Sequence, residues 1–185
     1  EPCPARYGFM AEKCHFKTSW PDDLEGFCTQ FDGILILDTC SRSQLLPFAD
    51  LLTGRPLPRI ILDHHTTRDD LSDAGSEALY LIDPQAASAC SILYRWCMAA
   101  GWTIDASAAE ALFVGLVTDT GWFRFPTAGP ETFRIAGELV RHGARTHVIY
   151  NALYERWSAS RLRLQAEALS TLTFHARDRL AVMHE

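Results

Sequence analysis

The sequence predicts an α/β protein: a parallel sheet with helices on both faces, ending in a linker helix and the start of a second domain. Two short runs, Ile34-Leu35-Ile36-Leu37 and Arg59-Ile60-Ile61-Leu62, carry the first part of that reading. Strands buried on both faces read as unbroken apolar stretches rather than as an alternation, and they pair in parallel through crossovers. Each run also ends on groups with chemistry, Asp38 in one case and Asp63-His64-His65 in the other. In open α/β sheets the C-terminal ends of the strands are where ligands bind.

The elements follow in order. Residues 1 to 32 carry Pro2, Pro4 and Pro21 among scattered aromatics and read as an irregular connection. A strand from about Gly33 to Asp38 comes next, then a short crossover helix over Ser43 to Leu52. Gly54, Pro56 and Pro58 punctuate before the second strand, Arg59 to Leu62. A polar loop, Thr66 to Ser76, leads to a third strand over Glu77 to Ile82, closed by Asp83-Pro84. Ala86 to Ala100 is periodic in Ile92, Leu93, Trp96 and Cys97, and Gly101 suits the position after a helix end. Asp105 or Ser107 can cap the next helix, which runs to about Thr118. Pro130 sits well at the first position of a helix ending at Gly143. A further helix covers Thr146 to Tyr154. Ser158 caps a long amphipathic helix with Leu162, Leu164, Ala168, Leu169 and Leu172 as its apolar face. The tail, Thr173 to Glu185, reads as a first hairpin turning at Arg177-Asp178. Its strand from Leu180 to Met183 is expected to find no partner in the remaining sequence.

Bulk properties narrow the class. At 185 residues the chain is long enough for one domain with a full core, or for a domain plus part of another. No apolar run approaches the roughly 18 residues that span a bilayer. Glu1-Pro2-Cys3-Pro4 has none of the build of a signal peptide, and a chain opening on Glu1 rather than Met need not open at its natural start. A net charge of −6 excludes broad binding along a nucleic-acid backbone, which needs a basic track. A short phosphorylated substrate held by metal ions remains compatible with it. The six cysteines form no C-x-x-C pair, and Cys40, Cys90 and Cys97 sit in apolar or small-residue patterns. They read as reduced core residues of a cytoplasmic protein. Cys14-His15 lacks a second pair at zinc-ligand spacing.

The chemistry lies at the element ends. A strand-end acid or a pair of loop histidines is ordinary singly. Asp38, His64-His65 and Asp119, which follows the apolar run Ala111 to Val117, are three ligand-type groups at three element ends. An acid at a helix C-terminus faces the negative end of the macrodipole and wants a compensating cation. Oxygen and imidazole donors without a thiolate suit Mn²⁺ or Mg²⁺ better than structural zinc. Beyond Asp119, Arg124 stands alone as a cation in the aromatic run Trp122-Phe123-Arg124-Phe125. It could clamp a phosphate or stack on the aromatics.

Asp38, then Asp63-His64-His65, then Asp83-Pro84-Gln85-Ala86-Ala87-Ser88, then Gly115-Leu116-Val117-Thr118-Asp119-Thr120-Gly121-Trp122-Phe123-Arg124-Phe125 form an ordered set. That set resembles the DHH-family phosphoesterases, in particular the branch of bifunctional oligoribonucleases that also act as 3′-phosphoadenosine 5′-phosphate phosphatases. Thr132-Phe133-Arg134, Gly143-Ala144 and Leu153-Tyr154-Glu155 continue the resemblance, which covers about residues 33 to 172. It implies a phosphoesterase domain over 1–157, a linker helix over 158–172 and the start of a second domain over 173–185.

The resemblance also implies a two-metal site, normally Mn²⁺ with Mg²⁺ possible. Asp38, His64 and Asp119 would be metal ligands, with Asp38 bridging. His65 would face the substrate phosphate or the water, with Asp63 supporting the histidines, and Arg124 would join His65 in binding substrate. Short oligoribonucleotides and 3′-phosphoadenosine 5′-phosphate are the expected substrates, with no membrane and no long nucleic-acid partner; relatives of this architecture often pair, so a homodimer is possible and the oligomeric state is left open. The family's first motif, an N-terminal strand carrying a His and an Asp-x-Asp, is not in the sequence, and Ser91 stands where relatives usually carry Glu. The chain taken alone is therefore expected to be inactive and to leave a sheet edge unpaired. A manganese pyrophosphatase shares the motif logic, and a non-catalytic nucleotide-binding module could keep the fold. Trp122, Phe123 and Phe125 favour a nucleotide over pyrophosphate, because bases stack on aromatic faces.

Overall fold

The computed structural model describes residues 4–11, 23–46, 48, 57–72 and 78–184. Strands β1 (Ile34–Leu37), β2 (Arg59–Asp63) and β3 (Ala78–Ile82) form a parallel sheet in the order β1-β2-β3. Ile36 pairs with Ile61 and Leu37 with Leu62, while Ile61 pairs with Tyr80 and Asp63 with Ile82. β2 is central, which is why Ile61, Leu62 and Asp63 are all fully buried.

Four helices of more than ten residues lie among the described residues: α1 (Ala89–Ala99), α2 (Ala106–Asp119), α3 (Pro130–Arg141) and α4 (Ala159–Ser170). On one sheet face, Leu62 and Leu81 pack under Ala89, Ile92 and Trp96 of α1. On the other, Ile36, Ile61 and Tyr80 meet Cys40, Leu45 and Leu71 from the connections. The largest cluster joins α2 to its neighbours through Phe113, Leu116, Val117, Ile135, Leu139 and Ile149. Leu35 and Leu37 of β1 are exposed. β1 is an edge strand of the described sheet, so its outward backbone groups lack a ladder partner there.

Local rules set the helix starts. The helix expected from Ala86 starts at Ala89, because Ser88 accepts the Ser91 amide at 3.1 Å as its cap. Residues 84–87 form turns before it. Asp105 caps α2 by accepting from the Ala108 amide at 2.8 Å, and Pro130 opens α3 after Gly129. The Thr146 to Tyr154 helix begins as α (Thr146–Tyr150) and continues as a π turn over Asn151–Glu155. Of the expected crossover helix, the structure shows a 3₁₀ turn at Arg42–Leu45, and most of the rest lies outside the described residues. The tail strand does find a partner: β5 (Leu180–Val182) pairs antiparallel with β4 (Thr173–His175). Among the described residues nothing covers the leucines of α4, since Leu162, Leu164 and Leu169 are all exposed.

Candidate metal centre

Three element ends converge. β1 stops at Asp38, whose φ of 64° is left-handed and whose amide donates to the Leu62 carbonyl at 2.9 Å. Aspartate tolerates that conformation better than most residues. β2 delivers Asp63, then His64 and His65 as the chain leaves the sheet, and α2 ends on Asp119. His64 Nε2 lies 3.4 Å from Asp38 Oδ1 and 3.9 Å from Asp119 Oδ2. One donor atom each from Asp38, Asp63, His64 and His65 lie within 4.8 Å of one another.

The two histidines are held differently. His65 Nδ1 bonds to Asp63 Oδ1 at 2.7 Å, and that oxygen also accepts the His64 amide at 2.8 Å and the His65 amide at 3.3 Å. His64 Nδ1 instead faces the Ala86 carbonyl at 3.3 Å. A carbonyl only accepts, so the contact calls for the tautomer with hydrogen on Nδ1 and leaves the Nε2 lone pair toward Asp38 and Asp119. The carboxylate expected to orient a metal-binding imidazole serves His65, while a backbone carbonyl serves His64. Nothing in the identity of Ala86 marks that role; the signal available was Asp83-Pro84, a turn former directly beside the strand end.

Electrostatics separate the groups. Burial pushes the Asp119 carboxyl up, and the Asp38 charge adds to it. Burial pushes Asp63 up too, but hydrogen bonds from His65, Cys40 and the His65 and His64 amides outweigh it and hold Asp63 below its ordinary value. The hydrogen bond to Asp63 raises His65 against the opposing effect of burial. Burial and the Asp63 contact push the Cys40 thiol up to about 12, and burial with the charges of Asp119 and Asp38 does the same for Cys90. Both cysteines therefore stay thiols at neutral pH. Asp63 Oδ2 is buried with no hydrogen-bond partner among the described residues.

These observations fit a divalent cation. Carboxylate oxygens of Asp38 and Asp119 lie 3.4 and 3.9 Å from His64 Nε2, the Asp38 charge disfavours the Asp119 carboxylate, and the nearby thiols are protonated. That is a hard oxygen and nitrogen donor set.

Beyond Asp119 the chain turns left-handed for three residues, with φ of 55° at Gly121, 58° at Trp122 and 64° at Phe123. The two aromatic residues cost about 1–3 kcal/mol each in this conformation, so the surroundings must enforce it. Buried Thr120 does so, accepting the Phe123 amide on Oγ1 at 3.2 Å and the Phe125 amide on its carbonyl at 3.1 Å. Trp122 and Phe123 turn inward onto Phe113, and Trp122 also meets Tyr150 and Tyr154. Phe125 remains exposed, with its ring so close to Gly121 that a Cβ there would stand 2.7 Å from it. Arg124 is exposed and donates from Nε to the Gly121 carbonyl at 3.0 Å. Ser91 is buried in the cap of α1, its hydroxyl 3.0 Å from that of Ser88.

No family model matches the chain. Among curated proteins it is 33% identical over 97 residues to the bifunctional oligoribonuclease and PAP phosphatase NrnA of Bacillus subtilis (strain 168), covering 51% of this chain and 29% of that one. To the protein of the same name from Thermus thermophilus it is 31% identical over 125 residues, covering 68% of this chain and 37% of that one. A solved exopolyphosphatase-related protein from Bacteroides fragilis superposes with a TM-score of 0.77 at 25% identity, over 86% of this chain and 46% of that one. The matched segment thus spans about a third of the curated relatives and under half of the solved one. The likenesses and the ordered motifs together support a DHH-family phosphoesterase. Within that class the chain stands close to the NrnA proteins.

Proposed function

We propose that the site belongs to a metal-dependent phosphoesterase acting on short oligoribonucleotides, 3′-phosphoadenosine 5′-phosphate, or both. The observation that carries this is the convergence of Asp38, His64 Nε2 and Asp119 at the C-terminal edge of the sheet. These three residues would hold divalent cations, Mn²⁺ by the donor set, which when bound supply positive charge to the phosphoryl oxygens and an acidified water. The chain's own residues do the rest. His65, kept protonated to higher pH by Asp63, offers its exposed ring to a phosphate oxygen. Asp63 fixes the direction of that ring through the bond to Nδ1. Arg124 uses Nε on the Gly121 carbonyl and, among the described residues, leaves its terminal nitrogens to meet a second phosphate, and Phe125 is the exposed aromatic of its run, open to a base.

The test is phosphate and mononucleotide release with Mn²⁺ from a dinucleotide and from 3′-phosphoadenosine 5′-phosphate, side by side with pyrophosphate. Turnover of either nucleotide, lost on chelation and absent in folded Asp38→Ala, His64→Ala and Asp119→Ala proteins, is the expected result. Preference for pyrophosphate would replace the substrate assignment. Retained turnover in a folded Asp38→Ala protein would end the metal assignment.

A further inference from the structure

Of the motif Asp83-Pro84-Gln85-Ala86, the site as described so far uses the Ala86 carbonyl and gives the Asp83 side chain no role. Asp83 sits at the end of β3, where its amide donates to the Asp63 carbonyl at 3.1 Å and so continues the ladder with β2. Its Oδ1 accepts the Gln85 amide at 3.0 Å, and its main-chain carbonyl accepts the Ala86 amide at 3.0 Å. Its Oδ2 is paired with the Arg95 guanidinium on α1. The turn closed by these bonds carries the Ala86 carbonyl that faces His64 Nδ1. One side chain thus ties the strand end, the turn and the helix that covers the sheet.

We propose that Asp83 is a positioning residue for His64: it fixes the turn that presents the Ala86 carbonyl, and thereby keeps the His64 Nε2 lone pair directed at Asp38 and Asp119. The side-chain acceptor of an Asp or Asn two residues before an amide closes such a turn on its own. The functional element is therefore Oδ1, and the ion pair with Arg95 is an accessory anchor. Arg95 and Asp83 are both substantially solvated, so their pair contributes little by itself. Orienting groups behind a metal-binding histidine are commonly worth 10–100-fold in metal affinity.

This inference rests on the proposed metal site, but its first readout does not need a metal. Long-range nitrogen NMR of the His64 ring in the metal-free protein reports which nitrogen carries the hydrogen. The wild type is expected to hold it on Nδ1. Asp83→Ala should mix the two tautomers and weaken Mn²⁺ binding about 10–100-fold. Asp83→Asn keeps an Oδ1 acceptor and should restore both, as should Arg95→Met, which removes only the anchor. A wild-type ring protonated on Nε2 overturns the proposal even if Asp83→Ala does not fold. So does a folded Asp83→Ala protein with the wild-type tautomer, or an Asp83→Asn protein as impaired as Asp83→Ala. A wild-type protein with the Nδ1 tautomer and no Mn²⁺ binding would instead reject the metal site and leave the positioning intact.

Discussion

Gly115 is where the position of Asp119 can be tested by packing alone. It lies on α2 one turn before Asp119, and a Cβ added there would stand 2.2 Å from Cys90 Sγ and 3.3 Å from Cys90 Cβ on α1. An alanine in the interior of a helix gains about 1 kcal/mol over glycine. Overfilling a packed contact costs about 1–3 kcal/mol, and at 2.2 Å the thiol must leave or the helices must part. Gly115→Ala should therefore be destabilising by up to about 2 kcal/mol, and each kcal/mol lowers Tm by about 2–4 °C in a chain of this size. Removing the thiol in Cys90→Ala removes the obstacle. In that background Gly115→Ala should become stabilising by up to about 1 kcal/mol, because the helix gain is then nearly unopposed. Thermal unfolding of the four proteins of this cycle measures the inversion directly. Because α1 lies on β2 and α2 carries Asp119, the single variant should also weaken Mn²⁺ binding, and the double variant should recover it. A Gly115→Ala protein more stable than wild type, with no coupling to Cys90, would refute this account of how the two helices meet.

Two further outcomes follow from the site. The Asp63 carboxyl is held low, so its contribution is complete above its ordinary value of 3.8 and fades as pH falls below it. His65 is raised, so its contribution is complete below its ordinary value of 6.5 and fades as pH rises through the folded-state value. The stability difference between wild type and Asp63→Asn should accordingly peak between about pH 4 and 6.5; a difference that keeps growing above neutrality would contradict the pairing. Phe125→Ala should raise KM for a dinucleotide by about 5–150-fold, the worth of one stacked base. An abasic analogue should be hardly affected, and an equal loss with both would remove Phe125 from base recognition.

The sheet was legible because β2 is central: Ile60-Ile61-Leu62 is apolar throughout only because both of its faces are covered. The convergence of the proposed ligands was legible for a related reason, since Asp38, His64 and Asp119 each stand at the end of an element whose pattern is clear. What the sequence hid is backbone chemistry. The Ala86 carbonyl has no side-chain signature, and Ser88 displaced the expected helix start by three residues in a stretch of small residues that reads equally well as helix or turn. The direction of Trp122 and Phe123 was also hidden. Periodicity cannot report three successive left-handed residues, so three aromatics that read alike divide into two inward anchors and one exposed ring. The start of α4 was legible from its Ser158 cap, but of the expected apolar face Leu172 falls past the helix end and Leu162, Leu164 and Leu169 are exposed, and the pattern says nothing of what covers them.

The fold works against the charge of Asp119, and this can be measured. The carboxylate is half enclosed, faces the Asp38 charge, and stands at the negative end of α2. All three effects disfavour its ionised form. An acid raised above its ordinary value makes the folded state less stable as pH rises from that value, 3.8, through the folded-state one, and the loss persists above both. Asp119→Asn is nearly isosteric and carries no charge, so in chelator at neutral pH it should unfold at a higher temperature than wild type, and the gap should close under acid. Bound cation reverses the order. At a hundred times its Kd a ligand stabilises by about 2.7 kcal/mol, a gain the wild type should show in full and Asp119→Asn should largely lack. A residue selected for packing would show the opposite pattern, with the variant less stable in chelator and unchanged in its response to Mn²⁺. That pattern would mean that Asp119 is not a ligand and that the charges gathered at this sheet edge have some other partner.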